Sequence, residues 1–115
     1  MLAETPRLAK AARGTAARLR EALIELAGGH ATIAEHSEKS WASITFAGTR
    51  HRLQLAFEGE AAIQAGEMFI VFLPEHEFML PGQLVADVAV TAVDHRLAPE
   101  PRLTVSIELL LLDEG

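Results

Sequence analysis

The feature that most constrains the fold is a β-hairpin pattern over residues 41–58. Gly48-Thr49 is a two-residue turn signal between two alternating stretches, and a turn there pairs Phe46 with His51. One face of the ribbon then carries a set that is apolar apart from the histidine: Ala42, Ile44, Phe46, His51, Leu53 and Leu55. Because a slip of one residue would mix the two faces, the pattern predicts this register. We expect Ile44, Leu53 and Leu55 in the core, and Trp41 on the opposite face.

An N-terminal helix is predicted over residues 6–27. Thr5-Pro6 is a helix start signal, and Gly28-Gly29 is a stop of the left-handed type. Apolar residues recur between them at spacings of three and four: Leu8, Ala12, Ala16, Leu19, Leu23 and Leu26. Basic residues fall on the other side: Arg7, Lys10, Arg13, Arg18 and Arg20. The helix should therefore bury one stripe and leave a basic side in solvent.

The middle of the chain has one clear and one ambiguous segment. Residues 31–37 alternate weakly and predict an edge strand, with a turn at residues 37–40 that leads into the hairpin as a three-stranded meander. Residues 60–73 fit either a second helix or a buried strand at their apolar end. We favour the helix, because Glu60 lies near its start and Pro74 supplies a stop.

The last third predicts two long antiparallel strands over residues 84–94 and 102–112, joined by a proline-containing connection. A short strand over residues 78–80 precedes them. Strict alternation leaves a second apolar set opposite the core-facing one: Val85, Ala89, Val93, Leu110 and Leu112. A sheet face that is open to water does not need such a set, so we expect a partner subunit, a cofactor or a helix to cover it.

Together these elements predict a single α+β domain over residues 1–115. It would be an antiparallel sheet of about five strands, with one long N-terminal helix and a second helix packed on one face. With 115 residues, half of them hydrophobic, the chain has the size and composition of one domain with one core.

Composition restricts the function classes. The chain has no cysteine, which excludes disulfides and thiolate sites and favours a cytoplasmic protein. Its net charge is −6, and residues 30–115 hold thirteen of the sixteen acidic residues, so most of the surface should repel nucleic acid. The N-terminus lacks the apolar run of a signal peptide, and the longest apolar run, residues 109–112, is too short to span a bilayer. We expect neither nucleic acid nor membrane as a partner.

The five histidines do not form a recognisable metal motif. They are His30, His36, His51, His76 and His95. No His-Glu-x-x-His pair is present, and adjacent strand residues point to opposite faces, so Glu35-His36 and Glu75-His76 do not converge. We expect five separate histidines at the surface or at strand ends, no metal and no cofactor, with His51 closing the edge of the core through a hydrogen bond.

Acid–base chemistry has three weak candidates: His51, Asp87 and Glu108. If the two C-terminal strands pair, Asp87 and Glu108 could lie close together on the mixed face, and one of them would have a raised pKa. A solvated sheet face explains the same carboxylates without catalysis. Serine-nucleophile and phosphate-loop motifs are absent from the sequence.

Two functions from different classes remain. The first is a non-catalytic binding or assembly module, a homo-oligomer and preferably a dimer, that self-associates through its C-terminal strands. Its interface candidates are Trp41, Val85, Val93, Leu110 and Leu112. The alternative is a small enzyme or ligand-binding protein with a pocket between helices and sheet, for a small-molecule ligand. A third hypothesis is that the basic helix side docks on an acidic partner in a salt-dependent manner.

Overall fold

A computed structural model describes the backbone of residues 4–114 and the side chains of residues 14–114. The elements in chain order are α1 (Glu4–Leu26), β1 (Thr32–Ala42), β2 (Ala47–Glu58), α2 (Glu60–Phe72), a 3₁₀ turn (Leu73–Glu75), β3 (Gln83–Arg96) and β4 (Arg102–Asp113). The strands form one antiparallel sheet in the order β1-β2-β4-β3. The predicted α+β class, with an antiparallel sheet and two helices, is confirmed. The sheet has four strands, however, rather than about five.

β1 accounts for most of the difference in strand number. It runs without interruption through the predicted turn at residues 37–40, so two expected strands are one strand of 11 residues. Residues 78–80, predicted as a short strand, lie outside any strand. β1 is an edge strand, where polar side chains can face water on an unpaired border. The polar residues that suggested a turn are therefore compatible with continuous pairing.

The turn of the β1–β2 hairpin lies at residues 43–46, and the predicted turn at Gly48-Thr49 is wrong. Ser43 closes the turn: its backbone N–H donates to the Phe46 carbonyl at 2.8 Å, and its Oγ accepts from the Phe46 N–H at 3.1 Å. Ile44 lies at the tip and is fully exposed, so its predicted core position is also wrong.

Gly48 is needed inside β2 rather than in a turn. It pairs with Leu112 of β4, and a Cβ at this position would collide with the Leu111 backbone. The true register differs from the predicted one by an even number of positions, so the alternation of faces is retained. Leu53 and Leu55 consequently keep their predicted core positions, at 2 % and 0 % exposure.

Both helices pack on one face of the sheet and bury the core there. Sixteen buried side chains form the cluster: Leu19, Leu23, Ala27, Leu53, Leu55, Phe57, Ala62, Ile63, Phe69, Leu73, Leu80, Leu103, Val105, Ile107, Leu109 and Leu111. α2 confirms the helical interpretation of residues 60–73. It approaches the sheet closely, because a Cβ at Gly66 would lie 2.7 Å from Leu103 and 2.9 Å from Phe57.

α1 corresponds to the N-terminal helix predicted over residues 6–27, but only its 13 residues from 14 to 26 have described side chains. Within that part Ala16, Leu19 and Leu23 are buried and Leu26 is half-buried, as the apolar stripe predicts. The Thr5-Pro6 start signal falls outside the described side chains, as do the other N-terminal members of the two predicted sides: Arg7, Leu8, Lys10, Ala12 and Arg13.

Two β-bulges rearrange the faces of β3. The register against β4 shifts between Val85 and Asp87 and again between Val90 and Ala92. Val85 and Val93 therefore pair with the core residues Leu111 and Val105, and lie on the helix side of the sheet. The predicted second apolar set is thus wrong for these two valines. Leu84, opposite Leu112, takes their place on the other side.

Candidate functional site

Two histidines that the sequence analysis treated as separate meet at the sheet edge. The register places His51 of β2 opposite Glu38 of β1, with His36 two residues before Glu38 on the same side of the strand. His36 Nε2 and His51 Nδ1 lie 2.9 Å apart. The potential ligand atoms of His36, Glu38 and His51 all lie within 4.8 Å of one another. The prediction of five separate histidines is therefore wrong for this pair.

Arg20 of α1 completes the cluster and sets the direction of its hydrogen bonds. Its Nη1 lies 3.0 Å from His36 Nδ1. Because arginine can only donate, His36 Nδ1 accepts and the His36 proton resides on Nε2, which donates to His51 Nδ1. The predicted hydrogen bond of His51 at the core edge is thus present, and its partner is His36. The chain of donors, Arg20 to His36 to His51, links α1 to the first two strands.

The surroundings of both histidines favour the neutral form of the imidazole. Burial lowers the pKa of His36 and of His51 from the ordinary 6.5, and it is the largest effect at each ring. The Glu38 carboxylate opposes the decrease in both cases, whereas the Arg20 charge adds to it at His36. His51 is only 1 % exposed. Neutral imidazoles at neutral pH can accept a hydrogen bond or bind a cation.

A groove of about 560 Å³ lies beside this cluster, between α1 and β1. Its lining is partly apolar and includes Ala17, Arg20, Ile24, Ile33 and His36. One of the polar residues that line this groove, His36, is hydrogen-bonded to a candidate residue, His51.

We call the sheet side opposite the helices the open face; among the described side chains, neither helix packs its core residues against it. One row of paired residues crosses it from edge to edge, comprising Trp41, Gly48, Leu112 and Leu84. The next row comprises Lys39, Arg50, Leu110 and Asp87. Trp41 is half-buried and Leu84 is 51 % exposed, whereas Leu110 and Leu112 are each 8 % exposed. The open face thus has an apolar end.

Glu108 lies on the open face but forms no pair with Asp87. It accepts from Arg50 at 2.8 Å and from Arg52 at 2.9 Å, and no hydrogen bond joins it to Asp87 within the described residues. The hydrogen bond from Arg50, followed by that from Arg52, lowers the pKa of Glu108. The raised pKa that a carboxylate pair would produce is therefore not found at Glu108.

Comparison with known proteins identifies no relative with a known function. No protein-family model matches the chain, and no curated protein matches it either. Among the described residues, no helix combines the length and the apolar character needed to cross a membrane.

Arg20, His36 and Glu38 cannot be recognised as members of one cluster from their spacing in the sequence. The sequence does show that His36 and Glu38 are two residues apart, which places both on one side of a strand. That side of β1 lies next to His51 only because the hairpin turn is at residues 43–46. Cross-strand neighbours, rather than neighbours in sequence, form this cluster.

Proposed function

We propose that this chain is a non-catalytic binding or assembly module that forms a homodimer through the open face of its sheet. The observation that carries the proposal is the apolar row at the end of a face that neither helix covers. An antiparallel sheet with one face toward water usually carries polar side chains there. Trp41, Leu84 and Leu112 depart from that pattern together, at one end of the face.

The charges of the open face suit a second copy of the chain. Lys39 and Asp87 occupy opposite ends of one row, on the two edge strands. A two-fold axis parallel to the strands places β1 of one copy over β3 of the other, so that Lys39 faces Asp87 of the second copy. The same axis places Glu58 of β2 over Arg102 of the second copy's β4, and it superposes the apolar ends.

The size of the open face is also adequate for a dimer. Strands of about 12 residues span about 40 Å, and four strands span about 19 Å, so the face measures roughly 750 Å². Each partner in an interface of standard size contributes about 800 Å². A dimer of two sheets stacked face to face can therefore reach the usual area without rearrangement.

Light scattering coupled to size-exclusion chromatography tests the proposal with two matched variants. Leu84→Lys and Val93→Lys place the same charge on β3 at positions of nearly equal exposure, 51 % and 50 %, but on opposite sides of the sheet. We expect a wild-type dimer at micromolar concentration, a shift to monomer for Leu84→Lys, and a dimer for Val93→Lys. A strictly monomeric wild type would contradict the proposal, as would dissociation of both variants alike.

The alternative function, a ligand-binding protein, is favoured by a separate observation. The α1–β1 groove is concave, partly apolar and bordered by hydrogen-bonded polar groups. Ligand-observed NMR with a fragment library tests it, with Ala17→Trp as a variant in which a large side chain obstructs the groove. Fragments that bind wild type and not this variant support the alternative, and a library without such fragments counts against it.

A further inference from the structure

We propose that His36, Glu38 and His51 form a binding site for a divalent transition-metal ion, with Zn²⁺ as the best match. This inference does not depend on dimerisation, because the three residues lie on the helix side of the sheet and the dimer interface is on the open face. Two imidazoles and one carboxylate are a donor set that Zn²⁺ accepts readily.

The backbone arranges the three donors in advance. His36 and Glu38 lie two residues apart on β1, so their side chains point to the same side. His51 faces Glu38 across the hairpin. His51 is packed at 1 % exposure, so its ring position is fixed by the surrounding core. The site therefore rests on two paired strands, which are more rigid than a loop.

The distances are close to those of a coordinated ion. Donor atoms bound to one tetrahedral Zn²⁺ lie about 3.3 Å apart, given Zn–N distances of about 2.0–2.1 Å. His36 Nε2 and His51 Nδ1 lie 2.9 Å apart, and the whole set lies within 4.8 Å. Glu38 is exposed, so a rotation of its side chain can bring an oxygen to the shared centre. Three protein ligands would leave a fourth position for water or a ligand.

Arg20 is the competing cation at this site. It donates to His36 Nδ1, which keeps the His36 proton on Nε2, the atom that faces His51. Coordination through Nε2 requires that proton to move to Nδ1, and the guanidinium must then leave. Removal of the arginine should therefore tighten metal binding, since it removes both a positive charge and the opposing hydrogen bond.

Isothermal titration calorimetry with ZnCl₂, on untagged protein freed of metal by a chelator, tests the site, with Co²⁺ absorption as a report on geometry. We expect one ion per chain. His36→Ala and Glu38→Gln should each lose more affinity than the roughly 10–100-fold that loss of an outer-sphere partner costs. Arg20→Met should bind more tightly than wild type. His76→Ala removes an exposed histidine elsewhere and should bind as wild type does.

These outcomes distinguish a specific metal site from non-specific binding at the surface. Since His51→Ala could unfold the chain, the half-buried His36 and the exposed Glu38 carry the test, with circular dichroism to confirm folding. Absence of binding at millimolar ZnCl₂, or equal losses in His36→Ala and His76→Ala, would overturn the proposal. Weaker binding by Arg20→Met would overturn coordination through Nε2.

Discussion

His51 is the one polar side chain that the core encloses among the described residues. A buried imidazole costs free energy unless its nitrogens are hydrogen-bonded, and His36 supplies a donor at 2.9 Å. That donor is in turn oriented by Arg20 on α1. At the scale of single residues, the cluster therefore has a structural role in addition to any ligand that it binds.

The contribution of the His36 donor to stability can be measured directly. His36→Phe keeps a ring of similar size but leaves His51 Nδ1 without its donor, which should lower the free energy of unfolding by about 1–3 kcal/mol. Urea denaturation in the presence of a chelator measures the change. The control, His76→Phe, alters an exposed histidine and should leave stability unchanged. Equal stability of His36→Phe and wild type would show that the hydrogen bond has no net effect.

The lowered pKa of Glu108 leads us to expect that this residue stabilises the protein more at neutral pH than at low pH. Because its pKa is lowered in the folded state, Glu108 stabilises the protein above its unfolded pKa, and this stability is lost as pH falls through the folded value. Wild type should therefore unfold at higher temperature than Glu108→Gln at pH 7, and the difference should shrink below about pH 4.5. Thermal melts across pH measure it. Glu77→Gln is the control, and a difference that persists at low pH would contradict the assignment.

At the scale of elements, glycine substitutions test whether Gly48 lies inside β2, as in the structure, or in a turn, as the sequence pattern predicts. Gly48→Ala should destabilise the protein by about 1–3 kcal/mol, because the added methyl group meets the Leu111 backbone of β4. Gly14→Ala, at an open position inside α1, should instead stabilise it by up to about 1 kcal/mol. Denaturant midpoints of the two variants give both signs. A tolerated Gly48→Ala would contradict the close approach of β2 and β4.

The elements also show which sequence patterns were informative. The helical interpretation of residues 60–73 was correct because its apolar stripe, its acidic start and Pro74 agreed with one another. The turn predicted at Gly48 is wrong because a glycine in a strand pattern can mark a close approach of two strands as well as a turn. Strict alternation predicts the wrong faces for part of β3, because its two bulges cannot be deduced from alternation.

At the scale of the whole molecule, the charges of the proposed dimer can be exchanged. Lys39→Asp and Asp87→Lys should each weaken dimerisation by at least about 0.4–2 kcal/mol, since two symmetric pairs of about 0.2–1 kcal/mol each are lost. The double variant restores opposite charges and should dimerise as wild type does. Sedimentation equilibrium measures all three. Glu77→Lys controls for net charge, and a double variant weaker than either single one would contradict the predicted pairing.

The sequence by itself determined the class of the fold, both helices and the core positions of Leu53 and Leu55, because these follow from local periodicity, which survives changes in pairing. Only the tertiary structure decided the strand number, the hairpin register and the faces of β3. The hairpin register depends on the approach of Gly48 to β4, which is far from β2 in sequence, and the faces of β3 depend on two bulges in its pairing with β4. The cluster of Arg20, His36, Glu38 and His51 belongs to the same category. Its members converge only when the hairpin turn, the pairing of β1 with β2 and the position of α1 are all fixed.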